Sequence, residues 1–234
     1  MICLGIKEEL RIFLNEKHFP QWGIFGSIIG LVFILTPQLF YTGIMGEPFS
    51  MFNHYVSELG ELGVSEFAMM FNIGMMLVGV LFFPFMIGLG LYLDNLLGKI
   101  AAIVGAFSAL SIYLVGIYPM NNAVMHGITA ISFFLSGLVM SILWSLAILA
   151  QKDVKIPKIL SLGGFINAAI FALFLYGPWG SIGETRPEFS MRITLEWAIY
   201  FAIVSYLFIL ALYVWNKEKN VEIQLEDSQS FQEQ

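Results

Sequence analysis

The sequence predicts an all-α, polytopic membrane protein with six transmembrane helices, both termini in the cytoplasm and a short N-terminal interfacial helix. Hydrophobic residues make up 58% of the 234-residue chain and charged residues only 12%, about half the charged share of a soluble domain. The mean hydropathy is +0.81, and a core of this size cannot bury all 22 phenylalanines and 12 methionines. The third observation is a series of six long apolar runs separated by polar segments.

Each apolar run is long enough to cross a hydrocarbon core about 30 Å thick at 1.5 Å per residue. Runs of this length exceed barrel strands, so helices must satisfy the backbone groups in lipid. We expect the spans near 22–41, 67–93, 100–118, 127–150, 159–177 and 193–215. They form one transmembrane domain, 22–215, between an amphipathic interfacial segment, 1–21, and a disordered cytoplasmic tail, 216–234.

The positions of lysine and arginine predict the orientation. Of the 11 basic residues, all except Arg186 and Arg192 fall in the terminal segments or in the second and fourth loops, which lie on one side of six spans. Cytoplasmic loops carry the excess of Lys and Arg. Both termini are therefore expected to be cytoplasmic, in a multi-pass protein of the cell membrane.

Charge and cysteine content exclude several classes of protein. The net charge is −6 and there is no dense basic block, so nucleic-acid binding has no electrostatic basis. Cys3 is the only cysteine, which excludes a disulfide framework and thiolate or iron–sulfur sites. We expect that the protein uses no cofactor. We expect that its partners are membrane lipids. The sequence leaves the oligomeric state open.

Most polar side chains outside the cytoplasmic loops fall on the outer face, in the first, third and fifth loops. This convergence predicts a polar pocket in the outer leaflet. The candidate catalytic residues are His54, Ser57, Glu58, His126 and Glu196. The candidate substrate-binding residues are Asn72, Asn121, Asn122, Arg186 and Arg192.

The first outer loop contains His54 and Glu58 at i,i+4 spacing. If 53–59 is helical, the two side chains share a face and could shuttle a proton or supply two metal ligands. Alternatively, the segment is a re-entrant or interfacial turn in which Glu58 accepts local backbone N–H bonds.

His126, at the start of span four, is also open to two interpretations. It is either a packed helix cap or a zinc ligand, together with His54 and with Glu58 or Glu196. We assign no metal site, because no fixed motif such as His-Glu-x-x-His is present.

Glu196 lies within the sixth span, four residues after Arg192. An ionisable group inside a span normally faces the protein interior or a water-filled cavity. Glu196 either pairs with Arg192 near the headgroups or lies at the base of the outer pocket.

The arginines of the fifth loop, Arg186 and Arg192, either neutralise neighbouring carboxylates or bind a lipid phosphate. Asn72 and Asn167 are expected to form interhelical hydrogen bonds.

Several short motifs resemble a prokaryotic six-span membrane family, domain of unknown function 998. The resemblance extends over about 22–215 and implies the same six-span fold, but it carries no agreed catalytic role. Three residues, Ser57, His126 and Glu196, also lie in motifs that more distantly resemble the damage-regulated autophagy modulator family, some of whose relatives are linked to lipid remodelling. The motifs are His54-Tyr55-Val56-Ser57-Glu58-Leu59-Gly60, Phe71-Asn72-Ile73-Gly74, Gly116-Ile117-Tyr118-Pro119, His126-Gly127 and Glu196-Trp197.

Three functions follow as hypotheses. The first is an integral membrane protein that handles or recognises a lipid or lipid-linked substrate through its outer-leaflet pocket. The second is an intramembrane hydrolase or transferase that uses the His, Ser and Glu residues of that pocket, with or without a metal. A small-solute or proton-coupled transporter is less favoured, because no charged residue lies at a span midpoint.

Overall fold

The fold is a bundle of six long helices. The computed structural model describes residues 18–43, 46–47, 49–179 and 188–232, and the described residues contain no named strand. All six helices are long and apolar enough to cross a membrane. For α5, this length includes the short 3-10 helix that precedes it. The all-α, six-span prediction is therefore confirmed. The helices are α1 Phe19–Gln38, α2 Ala68–Leu93, α3 Leu96–Ile117, α4 Ala123–Leu149, α5 Ser161–Tyr176 and α6 Met191–Gln232, with 3-10 helices at Val56–Gly60 and Lys158–Leu160.

The helix ends follow from local sequence. Pro20 lies in the first turn of α1, where its missing N–H is not needed. The Asn95 side chain caps α3 by accepting the Gly98 N–H at 2.8 Å, and Asn122 caps α4 through the Met125 N–H at 3.2 Å. Asp94 ends α2 with a left-handed φ of 46°. The predicted interfacial helix falls largely on residues 1–17, which lie outside the described residues.

The last helix is longer than the sequence predicts. A disordered tail is expected from residue 216, whereas α6 continues to Gln232. Extending an existing helix costs little, because each added residue contributes a hydrogen bond, and 216–232 contains no Gly or Pro. Two contacts hold the extension: Lys217 Nζ donates to the Lys155 carbonyl at 2.9 Å, and Tyr92 donates its hydroxyl to Glu218 at 2.9 Å.

The six helices form a closed ring. Each packs against its neighbours in the sequence, and α6 returns to pack against α1. Gly26 and Gly30 allow α1 to approach α2 closely: a Cβ atom on Gly26 would lie 3.1 Å from Phe82, and one on Gly30 would lie 3.4 Å from Val78. This agrees with the close-packing role expected of small residues four apart.

One end of the ring, called here the site end, is where α1, α3 and α5 finish and α2, α4 and α6 begin. The connection between α1 and α2 folds over this end, and its 3-10 helix Val56–Gly60 packs against α1, α2 and α6. We call this connection the cap. The positive-inside rule predicts that the site end faces outward; this orientation stays a prediction.

Candidate functional site

The cap is anchored by buried apolar residues and by two asparagines. Leu59 is fully buried. Asn72 on α2 donates to the Gly60 carbonyl at 2.9 Å. Asn121, in the turn between α3 and α4, accepts the Leu62 N–H at 2.8 Å and donates to the Leu62 carbonyl at 2.9 Å. Asn72 therefore bonds to the cap rather than to a neighbouring transmembrane helix, whereas Asn167 reaches the Ala202 carbonyl of α6 at 3.4 Å.

Glu58 stabilises the cap from within. The 3-10 helix begins at Val56, so His54 and Glu58 do not share a helical face as one interpretation requires. Glu58 Oε1 accepts the Tyr55 N–H at 2.9 Å, and Oε2 accepts the Tyr41 hydroxyl at 3.3 Å. These contacts match the alternative in which Glu58 accepts local backbone bonds.

His54 belongs to the cap and is fully buried. Its Nδ1 accepts the Ser50 N–H at 3.2 Å, which places the ring proton on Nε2. Nε2 lies 3.5 Å from Glu47 Oε1, and Phe49 stacks on the ring with centroids 5.2 Å apart. The His54 carbonyl accepts the Trp197 indole N–H at 2.8 Å. His54 therefore joins the cap to α6.

His126 and Asn122 stabilise the start of α4. His126 Nδ1 lies 2.9 Å from the Tyr118 carbonyl, a contact typical of a packed cap, and Asn122 is the N-cap of the helix. Within the described ranges, no group of three or more His, Cys, Asp or Glu residues could hold a metal ion.

Glu196 turns into the bundle. It is 9% exposed, and its carboxyl interacts with the backbone N–H groups of Val56 and Ser57. Its Oε2 atom is buried and has no hydrogen-bond partner among the described residues. Arg192 is near enough to act on this carboxyl electrostatically, but its guanidinium lies over the Phe174 ring, 5.6 Å from the centroid. The Arg192–Glu196 ion pair, one of the two interpretations left open by the sequence, is not formed within the described part of the chain.

A cavity of about 90 Å³ lies at the centre of the ring, with Glu196 in its wall. Apart from Ser57, Ser108, Glu196 and Tyr200, its lining side chains are apolar. From Glu196 to Leu207 it follows α6 for about 16 Å, at a rise of 1.5 Å per residue. This is close to the depth of one leaflet, about 15 Å. The deep end is formed by Met86, Gly105, Met140 and Leu207.

Among the candidate residues that the structure describes, two lie in the cavity wall, Ser57 and Glu196. Glu58 acts on Glu196 electrostatically. The remaining described candidates hold the cap or the helix ends, or lie at the exposed end of α6. Arg186 lies outside the described residues. The described candidates away from the cavity wall are His54, Glu58, Asn72, Asn121, Asn122, His126 and Arg192.

Two residues that the sequence interpretation missed also belong to the site. Tyr200 lines the cavity and donates its hydroxyl to the Gly30 carbonyl at 3.1 Å. It follows Glu196 by four residues, so the helical period could have placed both on one face. Trp197 forms a hydrogen bond with the His54 carbonyl. This contact depends on the path of the cap, and no sequence signal indicates that path.

The family model for proteins of unknown function DUF998 matches residues 27–216, most of the chain. The chain belongs to the DUF998 family. The DUF998 match begins within α1 and ends within α6, so it contains the cap, both ends of the ring and the central cavity. The resemblance inferred from the sequence motifs is confirmed, whereas the likeness to the damage-regulated autophagy modulator family stays a prediction. No curated protein and no solved structure matches the chain.

Proposed function

We propose that this DUF998 protein resides in the cell membrane and binds a lipid or lipid-linked molecule, with an apolar chain in the central cavity. The polar head of that molecule lies at the site end, beside Ser57 and Glu196. The observation that carries this proposal is a leaflet-deep apolar cavity whose wall includes the buried Glu196, a residue with one carboxyl oxygen that has no hydrogen-bond partner among the described residues. Under the predicted orientation, the ligand comes from the outer leaflet.

The cavity wall supports an apolar occupant. Apolar cavities stay dry and bind apolar molecules. Leaving 90 Å³ empty would cost about 2 kcal/mol of stability, at roughly 24 cal/mol per Å³. Met75, Met86 and Met140 line the space, and unbranched methionine side chains adapt to chains of different shape.

The volume supports one narrow chain. Pockets for drug-sized ligands occupy about 300–1,000 Å³, well above the volume of this cavity, about 90 Å³. A single acyl, alkyl or isoprenoid chain suits this space better than the paired chains of a phospholipid.

The contacts favour binding over the hydrolase or transferase alternative. Ser57 Oγ donates to Met120 Sδ at 3.5 Å, whereas nucleophilic catalysis requires a base within hydrogen-bonding distance. Both candidate histidines have other contacts: His54 Nδ1 accepts the Ser50 N–H, and His126 Nδ1 faces the Tyr118 carbonyl.

Photocrosslinking tests the proposal. A single-chain alcohol with a diazirine near the end of its alkyl chain is incorporated into phosphatidylcholine nanodiscs with the protein. We expect crosslinks at Met86 and Leu207, which line the deep end of the cavity. Val204→Phe fills the cavity and should reduce these crosslinks at least about tenfold, while crosslinks at the exposed Ile103 persist.

Ile209→Phe is the matched control, because it places the same side chain on the same helix at an exposed position. It should leave the crosslinks to the deep end unchanged. Ala109→Leu fills the cavity from α3 and is the second cavity-filling variant, to be used if Val204→Phe does not fold. Crosslinks at Leu207 that survive both cavity-filling changes in folded protein would contradict the proposal.

A further inference from the structure

The deep end of the central cavity is closed by two methionine side chains. Met86 on α2 and Met140 on α4 are each 2% exposed, and both line the cavity. A Cβ atom on Gly105 of α3 would lie 2.8 Å from Met86 Sδ and 3.2 Å from Met140 Sδ. The two thioether groups therefore meet over Gly105, where the absence of a side chain gives them room. We call these three residues the floor.

The layer beneath the floor is closely packed. One helical turn deeper on α2, α3, α4 and α6, the corresponding residues are fully buried and do not line the cavity. These residues are Leu89, Ala101, Trp144 and Leu210. Close-packed interiors leave few voids larger than a water molecule. A chain in the cavity therefore cannot extend past the floor.

The other end of the cavity is less enclosed. All lining residues at the deep end are buried, whereas several nearer the site end are only half-buried. These residues are Ser57, Met75, Ile112, Phe133 and Phe134. Because α2 and α4 begin at the site end and α3 finishes there, each of them lies closer to that end than the floor does. The head of a bound amphiphile is thus expected toward the site end, with the end of its chain at the floor.

We infer that Met86 and Met140 limit the length of the chain that the cavity accepts, to one leaflet at most. This inference rests on the proposed function, because it assigns the length of the chain bound in the cavity. A chain that is too short leaves apolar space empty, which is unfavourable. A chain that is too long overpacks the cavity or moves its head away from the site end. The ligand class is then a single-chain amphiphile of defined length, and chains long enough to span both leaflets are excluded.

Competition by a series of straight-chain alcohols tests this limit. The competitors differ only in chain length, and each is added to phosphatidylcholine nanodiscs at the same mole fraction in the bilayer. The readout is loss of crosslinking between the photoreactive alcohol described above and Leu207. In the wild-type protein, we expect displacement to be strongest at one chain length and to weaken for both shorter and longer chains.

Met140→Ala lowers the floor, because it removes the side chain beyond Cβ. The preferred chain should become longer by about two to three carbons, since an apolar cavity left by a deleted side chain binds apolar groups. At that greater length, displacement should be at least about fivefold stronger than in the wild-type protein. Met86→Ala should have the same effect and is the variant to use if Met140→Ala does not fold.

Two further variants sharpen the comparison. Gly105→Ala should shorten the preferred chain, because the packed layer beneath leaves the displaced thioethers only the cavity to move into. Met69→Ala is the matched control: it makes the same change on the same helix as Met86, at a position that is 60% exposed. It should leave the preferred length unchanged. Each variant is compared with the wild-type protein in the same nanodiscs, so partitioning of the alcohols into the bilayer cancels.

The outcomes separate the two proposals. Displacement that does not depend on chain length in the wild-type protein overturns the length limit and leaves chain binding intact. A preferred length that stays unchanged in folded Met140→Ala and Met86→Ala does the same. Probe crosslinking that is unaffected by Val204→Phe overturns chain binding itself.

Discussion

Two buried glutamates at the same end of the bundle differ in how their oxygens are used. Glu58 has both oxygens bonded within the cap, to the Tyr55 N–H and the Tyr41 hydroxyl. The Glu196 carboxyl faces two backbone N–H groups, and one of its oxygens has no partner in the part of the chain that the structure describes. At the residue scale, the first carboxyl maintains the structure of the cap, and the second retains a buried oxygen with no hydrogen-bond partner among the described residues.

Glu58→Ala is expected to lower the free energy of unfolding by about 1–3 kcal/mol, because two donors lose a buried acceptor. Glu58→Gln keeps one carbonyl acceptor and should cost less. Thermal unfolding in detergent measures both changes. Glu66→Ala alters an exposed residue of the same type and should be nearly neutral; equal effects at positions 58 and 66 would contradict this role for Glu58.

Among the elements, two adjacent asparagines hold different parts of the fold. Asn121 bonds to both backbone groups of Leu62 in the cap. Asn122 caps α4 through the Met125 N–H. A change at either position should therefore affect a different segment, although both side chains are exposed.

Hydrogen exchange can separate these roles. Asn121→Ala should speed exchange of the Leu62 amide, because that N–H loses its acceptor. Asn122→Ala should instead speed exchange at Met125 and destabilise the start of α4 by about 0.5–2 kcal/mol. Each variant is the control for the other. Faster exchange at Met125 in Asn121→Ala, with Leu62 unchanged, would contradict the assignment.

At the scale of the whole molecule, α6 closes the ring against α1, and the predicted orientation places the cap outside the cell. In a Cys3→Ser background, Glu66→Cys should react with an impermeant thiol reagent in intact cells, because Glu66 is exposed at the site end. Lys152→Cys, exposed at the opposite end, should react only after permeabilisation. The reverse pattern would place the cap in the cytoplasm.

The helices could be predicted because their signals are local. Long apolar runs define the spans, and Asn95 and Asn122 mark helix starts through their side chains. The position of Glu196 inside a span indicated an inward-facing group, and the helical period could have added Tyr200.

The rest depends on tertiary contacts. The neighbours of His54 come from the path of the cap, which sets Ser50, Phe49 and Glu47 around the ring; i,i+4 spacing alone suggested Glu58 instead. The helical extension of α6 was missed because polar residues such as Glu and Gln are common both in disordered tails and in exposed helices.

The unbroken length of α6 has a mechanical consequence. The helix carries Glu196 at one end of the bundle and continues to Gln232 beyond the other, a distance of about 54 Å at 1.5 Å per residue. A tilt of about 5° around Glu196 would move the far end by about 5 Å over that length. A small tilt of α6 that hardly displaces the cavity wall at Glu196 therefore moves the far end of the helix by about 5 Å.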